Sequence, residues 1–119
     1  MLFLNDLAVQ GRMLNAGQAC IAPEYILVHR SVQTQLVDEL KKTIKDFYGQ
    51  DSQTMKTNPD IGRIVNNRHF LRVKRLLDEG DVRSKIEFGG ETDESENYVE
   101  PTIIVDPSND CPLMKVGHN

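Results

Sequence analysis

Cys20 is the residue best suited to do chemistry in this sequence. It follows Asn15-Ala16-Gly17-Gln18-Ala19, a glycine turn after an apolar helical stretch, and precedes the run Tyr25-Ile26-Leu27-Val28-His29. A thiol on such a turn can stand at the bottom of a cleft, with backbone N–H groups beside it to hold an oxyanion. An isolated cysteine is also commonly a small buried hydrophobe, so position alone leaves both readings open. His29, at the end of the apolar run, and His69, within a helix, could each serve a thiol. Histidines in such places are more often surface or strand-end residues. Known cysteine-hydrolase patterns fit badly. Gln18-Ala19-Cys20 begins like a caspase motif but continues Ile21-Ala22, and only nineteen residues precede Cys20. The caspase histidine is expected about 50 residues upstream, and the papain-type motif is missing as well.

Other chemistries have less support. Cys20 and Cys111 with scattered histidines offer neither a paired-cysteine motif nor HExxH, so no metal site is expected. Glu91, Asp93, Glu94 and Glu96 lack the calcium-loop pattern and read as a solvated acidic loop. Gly89-Gly90 runs into Glu91-Thr92-Asp93, whose charges would repel a phosphate. The basic residues Arg63, Arg68, Arg72, Lys74 and Arg75 describe a solvated helix face.

The elements that must position Cys20 follow from periodicity. Leu4, Leu7, Ala8, Gly11 and Leu14 have helical spacing over residues 2–14, which Gly11 weakens. The run 25–29 predicts a buried strand. Ser31 is the expected cap of a helix whose stripe is Val32, Leu36, Val37, Leu40, Ile44 and Phe47, ending at Gly49 as left-handed glycines end helices. Residues 50–60 are polar, contain Asn58-Pro59, and predict a surface loop. A second helix is expected over Asn67–Glu79, burying Phe70, Val73, Leu76 and Leu77. Short strands are expected at 85–88 and 98–105, around an acidic hairpin or loop at 91–97, with Pro101 marking an edge or strand start. Strands separated by helices predict an α/β fold with a parallel or mixed sheet flanked by helices.

The chain has 119 residues, with 14 Lys+Arg against 18 Asp+Glu and a net charge of −4. That length is one domain or a piece of one. The acidic balance argues against a nucleic-acid binder, which needs a concentrated basic surface. No apolar stretch approaches the roughly 20 residues of a membrane span, and Met1-Leu2-Phe3-Leu4 lacks the basic region of a signal peptide. Two distant cysteines fit reduced thiols and an intracellular, cytoplasmic setting, with plastid or endomembrane association left open.

At Leu14-Asn15-Ala16-Gly17-Gln18-Ala19-Cys20 the sequence resembles the active-site cysteine motif of the aldehyde dehydrogenase superfamily. Ile21-Ala22-Pro23-Glu24-Tyr25-Ile26-Leu27 is similar to its class 3 branch. The likeness continues through Phe47-Tyr48-Gly49, Gly62-Arg63-Ile64-Val65-Asn66, Arg68-His69-Phe70, Phe88-Gly89-Gly90 and Tyr98-Val99-Glu100-Pro101-Thr102-Ile103-Ile104, in order over about residues 7–114. The Gly-Gln-Ala-Cys form and Glu100-Pro101 are similar to plant members. The resemblance implies that the Cys20 thiolate attacks an aldehyde, that hydride passes to NAD or NADP, and that water releases a carboxylic acid. Medium-chain, long-chain or aromatic aldehydes are the implied substrates. Asn15, Gly17 and Gln18 are the implied turn and oxyanion support.

The family's general-base glutamate, oxyanion asparagine and Rossmann-like cofactor domain would all fall before Met1, so no cofactor-binding residue is expected within these 119. After Pro112-Leu113-Met114 the family continues with paired glutamates and Ile-Phe-Gly-Pro, where this chain reads Lys115-Val116-Gly117-His118-Asn119. The expected organisation is therefore a partial catalytic domain at 1–114 with a divergent tail at 115–119. The family is typically homodimeric, through a strand expected to be missing here. Alone, the chain is expected to be inactive as a dehydrogenase. The other functions open to it are weak thiol-esterase activity and non-catalytic binding to a full-length subunit.

Overall fold

The computed structural model describes residues 2–115, and of residues 2–5 only the backbone. The Leu4 side chain and the tail residues 116–119 lie outside the described residues. The chain forms two compact units, Met1–Gly62 and Arg63–Asn119.

In the first unit, α1 (Leu2–Met13) runs into a 3-10 turn, Leu14–Gly17. After an irregular segment come a 3-10 turn at Arg30–Val32, α2 (Gln33–Tyr48) and α3 (Ser52–Thr57). Helix α1 packs against α2. The buried apolar side chains here are Val9, Ala22, Ile44, Met55 and Ile61. The helix at 2–14 is present, but its expected stripe is not what is covered: Leu7 and Leu14 are exposed and Val9 is buried. Helical spacing says which residues share a face, whereas the position of α2 decides which face is covered.

The sequence predicts a buried strand at 25–29, and this is corrected. Residues 23–29 form neither helix nor strand, and Leu27 is 88% exposed. A continuous apolar run becomes a buried strand only between two neighbouring strands, and the first unit has no strand among its described residues. The expected cap at Ser31 also moves. His29 Nδ1 accepts from the Ser31 N–H at 3.1 Å, so His29 opens the turn that leads into α2.

The polar stretch 50–60 is not only loop. Asp51 Oδ1 accepts from the Thr54 N–H at 2.7 Å and caps α3, which buries Met55 almost completely. Gly49 ends α2 at φ 142°, and a Cβ there would lie 2.7 Å from Thr54 Cγ2, so glycine permits the tight passage into α3.

In the second unit, α4 (Asn67–Asp78) is capped by Asn66, whose Oδ1 accepts from the His69 N–H at 2.9 Å. Phe70, Leu76 and Leu77 are buried as expected, and Val73 is half-buried. Leu77, Val82 and Cys111 form the core cluster, with Val99, Ile104 and Leu113 packed around it. The strands are β1 (Ile86–Phe88), β2 (Thr92–Asp93), β3 (Tyr98–Val99) and β4 (Ile103–Ile104), followed by α5 (Pro112–Lys115). Here the expected strand at 98–105 is divided, with Pro101 in the gap. The acidic segment turns over at Glu94–Glu96 between β2 and β3, as the hairpin reading anticipates.

Both strand pairings, β1 with β4 and β2 with β3, are antiparallel. The architecture combines helices with two small antiparallel sheets, and the expected parallel or mixed sheet does not occur among the described residues.

Backbone contact at Gly89 joins these strands. Gly89 has φ 77°, and a Cβ on it would collide with the Pro101 carbonyl and come within 3.0 Å of Thr102 Cα. Gly89→Ala should therefore cost about 2–4 kcal/mol, combining positive-φ strain with overpacking; urea titration with a β-sensitive signal measures it.

Tyr98 is buried beneath the Arg63 guanidinium, 4.5 Å from the ring centroid, and its hydroxyl has no hydrogen-bond partner among the described residues. Burial, aided by the charge of Glu100, pushes its pKa up to about 12. The folded state therefore holds the proton more tightly than the unfolded chain. The associated stability is complete below about pH 10 and is lost as the pH rises towards 12. Thermal melts across this range should show the loss in the native chain and much less of it in Tyr98→Phe.

Candidate active site

The turn before Cys20 is unusual backbone. Asn15 (φ 52°), Ala16 (φ 55°) and Gly17 (φ 77°) are three consecutive residues at positive φ. Asparagine and glycine visit this region readily, but at Ala16 it costs roughly 1–2 kcal/mol. Gln18 closes the turn twice on one acceptor: its backbone N–H and its Nε2 both donate to the Asn15 carbonyl, at 3.1 Å and 2.9 Å. Asn15, Gly17 and Gln18 are thus brought together as turn residues. Asn15 contributes its carbonyl to this arrangement.

The chain then makes a second tight turn, with the Ala22 N–H donating to the Ala19 carbonyl at 3.0 Å. Cys20 lies inside it with an exposed, free thiol. Among the described residues, neither that thiol nor the Cys20 N–H has a hydrogen-bond partner. The buried Ala22 anchors the far side of the turn, and Ile21 beside it is 86% exposed. Cys111, in contrast, is buried in the core of the second unit.

Two residues that support this turn carry no signal of their own in the sequence. Gly62 packs beside its backbone, where a Cβ would sit in ordinary contact, 3.4 Å from the Ala16 amide nitrogen. Arg12 lies across Gly17, where a Cβ would be 2.8 Å from Cζ. Gly62 stands in the Gly62-Arg63-Ile64 segment already matched, whereas Arg12 reads simply as a cation near a helix end. His29 Nδ1 is engaged with Ser31, its Oγ 2.7 Å away, and His69 belongs to α4 of the second unit.

The described residues offer no dinucleotide cradle at Gly89-Gly90. The Gly90 N–H donates to Thr102 Oγ1 and the Glu91 N–H to Glu100 Oε2, so these amides face protein acceptors. No group of three or more potential metal ligands occurs among the described residues. No helix among them is long and apolar enough to cross a membrane.

Cys20 thus presents an exposed thiol, with its own N–H uncommitted, just after a left-handed turn. The aldehyde dehydrogenase family profile matches residues 4–116, and the chain belongs to this family. It is 48% identical over 105 residues to the rat "Aldehyde dehydrogenase, dimeric NADP-preferring", covering 88% of this chain and 22% of that protein. It is 50% identical to rat "Aldehyde dehydrogenase family 3 member A2", covering 88% and 20%. It is 46% identical to "4,4'-diaponeurosporen-aldehyde dehydrogenase" of Staphylococcus aureus, covering 88% and 22%. Among solved structures, the "Substrate bound state of Staphylococcus Aureus AldH" superposes with a TM-score of 0.88 at 40% identity, over 96% of this chain and 24% of that one. The chain thus spans about a fifth of the length of the curated relatives it matches.

The two cysteines should differ in reactivity. Brief treatment of the folded chain with iodoacetamide should label Cys20 at least about tenfold faster than Cys111, and the two rates should converge in denaturant. Peptide mass mapping reads both.

Proposed function

We propose that this chain carries the nucleophile of an NAD(P)+-dependent aldehyde dehydrogenase, with Cys20 in that role. The observation that carries the reading is the exposed Cys20 thiol, its N–H uncommitted, on the left-handed turn of the matched motif. Thiolate addition to the aldehyde carbon forms a C–S bond and places the carbonyl electron pair on oxygen. The Cys20 N–H is suitably placed in sequence to donate to that oxyanion. Sulfur suits both steps because it adds readily to a carbonyl and leaves readily from an acyl group. When bound, NAD or NADP supplies the hydride acceptor that turns the adduct into a thioester. Water then displaces the thiol and frees the carboxylic acid. The Gly90 and Glu91 amides are engaged by protein acceptors, and no residue of this chain is assigned to the dinucleotide or to hydride transfer.

Asn15, Gly17 and Gln18 are read as turn support for Cys20. Residues 1–114 are read as part of the catalytic domain and 115–119 as a tail. Within the longer family domain, the exposed run at 25–29 is read as a strand of a parallel or mixed sheet. Its apolar side chains Tyr25, Ile26 and Leu27, all exposed here, favour that place.

Acyl transfer from an activated ester needs only the thiol and an oxyanion donor, so it isolates the nucleophile from the cofactor. With p-nitrophenyl acetate, the 119-residue chain should release about one equivalent of nitrophenol in a burst. Cys20→Ser should abolish the burst and Cys111→Ser should leave it. With aldehyde and NAD(P)+ the same chain should form no sustained NAD(P)H. An unchanged burst in Cys20→Ser would overturn the nucleophile assignment; Cys20-dependent NAD(P)H formation would overturn the expected inactivity of the chain alone.

A further inference from the structure

Arg12 occupies an unusual place for a cation. Its guanidinium lies against the bare Cα of Gly17, where a Cβ would stand 2.8 Å from Cζ and 3.0 Å from both Nε and Nη2. All three atoms belong to the guanidinium, so the group covers the side of Gly17 that any other residue would fill. Its Nη1 is buried and has no hydrogen-bond partner among the described residues. A buried unmatched donor costs about 1–3 kcal/mol, so the site holds the group there against a penalty. Burial lowers the Arg12 pKa from its ordinary value, and the charge of Glu24 opposes that shift. Glu24 follows Cys20 in the chain and Gly17 precedes it, so Arg12 interacts with the segments on both sides of the thiol.

Propensity does not explain the turn it touches, because Ala16 sits at φ 55° without a side chain that rewards that conformation. Gln18 braces it from within through the Asn15 carbonyl, and from outside Arg12 is the side chain laid against it. We propose that Arg12 is a positioning residue for the Cys20 nucleophile, its guanidinium acting as the platform on which Gly17 rests. This rests on the assignment of Cys20 as nucleophile. Arg12 touches no reacting atom; it acts through the turn, fixing where the Cys20 N–H and thiol stand relative to each other.

Two reagents separate positioning from bulk stability. Iodoacetamide needs only an accessible thiolate, whereas p-nitrophenyl acetate also needs the oxyanion donor in place. Arg12→Lys keeps the charge without the plane, and Arg12→Met keeps much of the volume without the charge. Both should lower the ester burst rate about tenfold or more, because small misplacements at a reacting centre are costly. Both should change Cys20 alkylation less than about twofold. Gly17→Ala should lower the burst in the native background and have a smaller effect beside Arg12→Met, since the clash with Cζ is then gone.

Thermal melts of each variant show whether it is folded. If Arg12→Met does not fold, Arg12→Lys and Gly17→Ala carry the test. Equal bursts in native and both Arg12 variants, or parallel losses in both reactions, would overturn the positioning role while leaving the nucleophile intact. A native chain without a Cys20-dependent burst would overturn both.

Discussion

Three consecutive residues at positive φ, Asn15, Ala16 and Gly17, set the terms for the whole Cys20 segment. A right-handed helix arrives at this point and the chain must reverse without a long loop. Glycine and asparagine make the reversal tolerable, but Ala16 has no such allowance and must be held by its surroundings. Gln18 does so from within the turn, with two donors on the Asn15 carbonyl. Gly62 and Arg12 do so from outside, one by packing beside the backbone and the other through its guanidinium. Strain of this kind persists when neighbours over-determine it, and it concentrates where a side chain must be presented in one orientation.

The second unit solves a related problem with a different material. Its strands are too short to be stable as ladders alone, so the links between them are made by loop groups. Glu100 is buried and exchanges hydrogen bonds with Glu91, its amide donating to the Glu91 carbonyl and its carboxylate accepting from the Glu91 N–H. Thr102 relays the Gly90 N–H to the Glu100 carbonyl through one hydroxyl. Arg83 connects this network to α4, donating to the Gly90 carbonyl and to Asp78. Asp78 also accepts from Lys74, and these two cationic partners hold its carboxyl below the ordinary range. The buried Glu100 carboxylate is tolerable here because a backbone donor, the Glu91 N–H, meets it.

The parts legible in the sequence are those with strong local signals. Helix α4 announces itself by Phe70, Val73, Leu76 and Leu77 at helical spacing; the structure buries three of them and half-buries Val73. The hairpin at 91–97 is readable because acidic and small residues separate two apolar segments. The short helix at Ser52–Thr57 is missed because a polar run hides one buried methionine and an aspartate cap. At 25–29 the apolar pattern is real, but burial needs a partner that local sequence cannot supply. Likewise Leu7 and Val9 lie on the same helix, and only the packing of α2 chooses between them.

For the candidate site the division is sharper. Cys20, Asn15, Gly17 and Gln18 are readable because their order is distinctive, and the motif brings the chemistry with it. The motif's resemblance, rather than spacing alone, is what proposes Cys20 over Cys111, because a thiol's reactivity depends on its surroundings as well as its type. The support of that nucleophile is not a property of spacing. Arg12 lies eight positions before Cys20 and Gly62 forty-two after it. They meet the same turn because folding returns the chain to it, and because a guanidinium lies against the bare Cα of Gly17 there. One dimension suffices to propose the reacting atom; the groups packed around its turn are selected by shape and burial, which exist only once the chain has closed on itself.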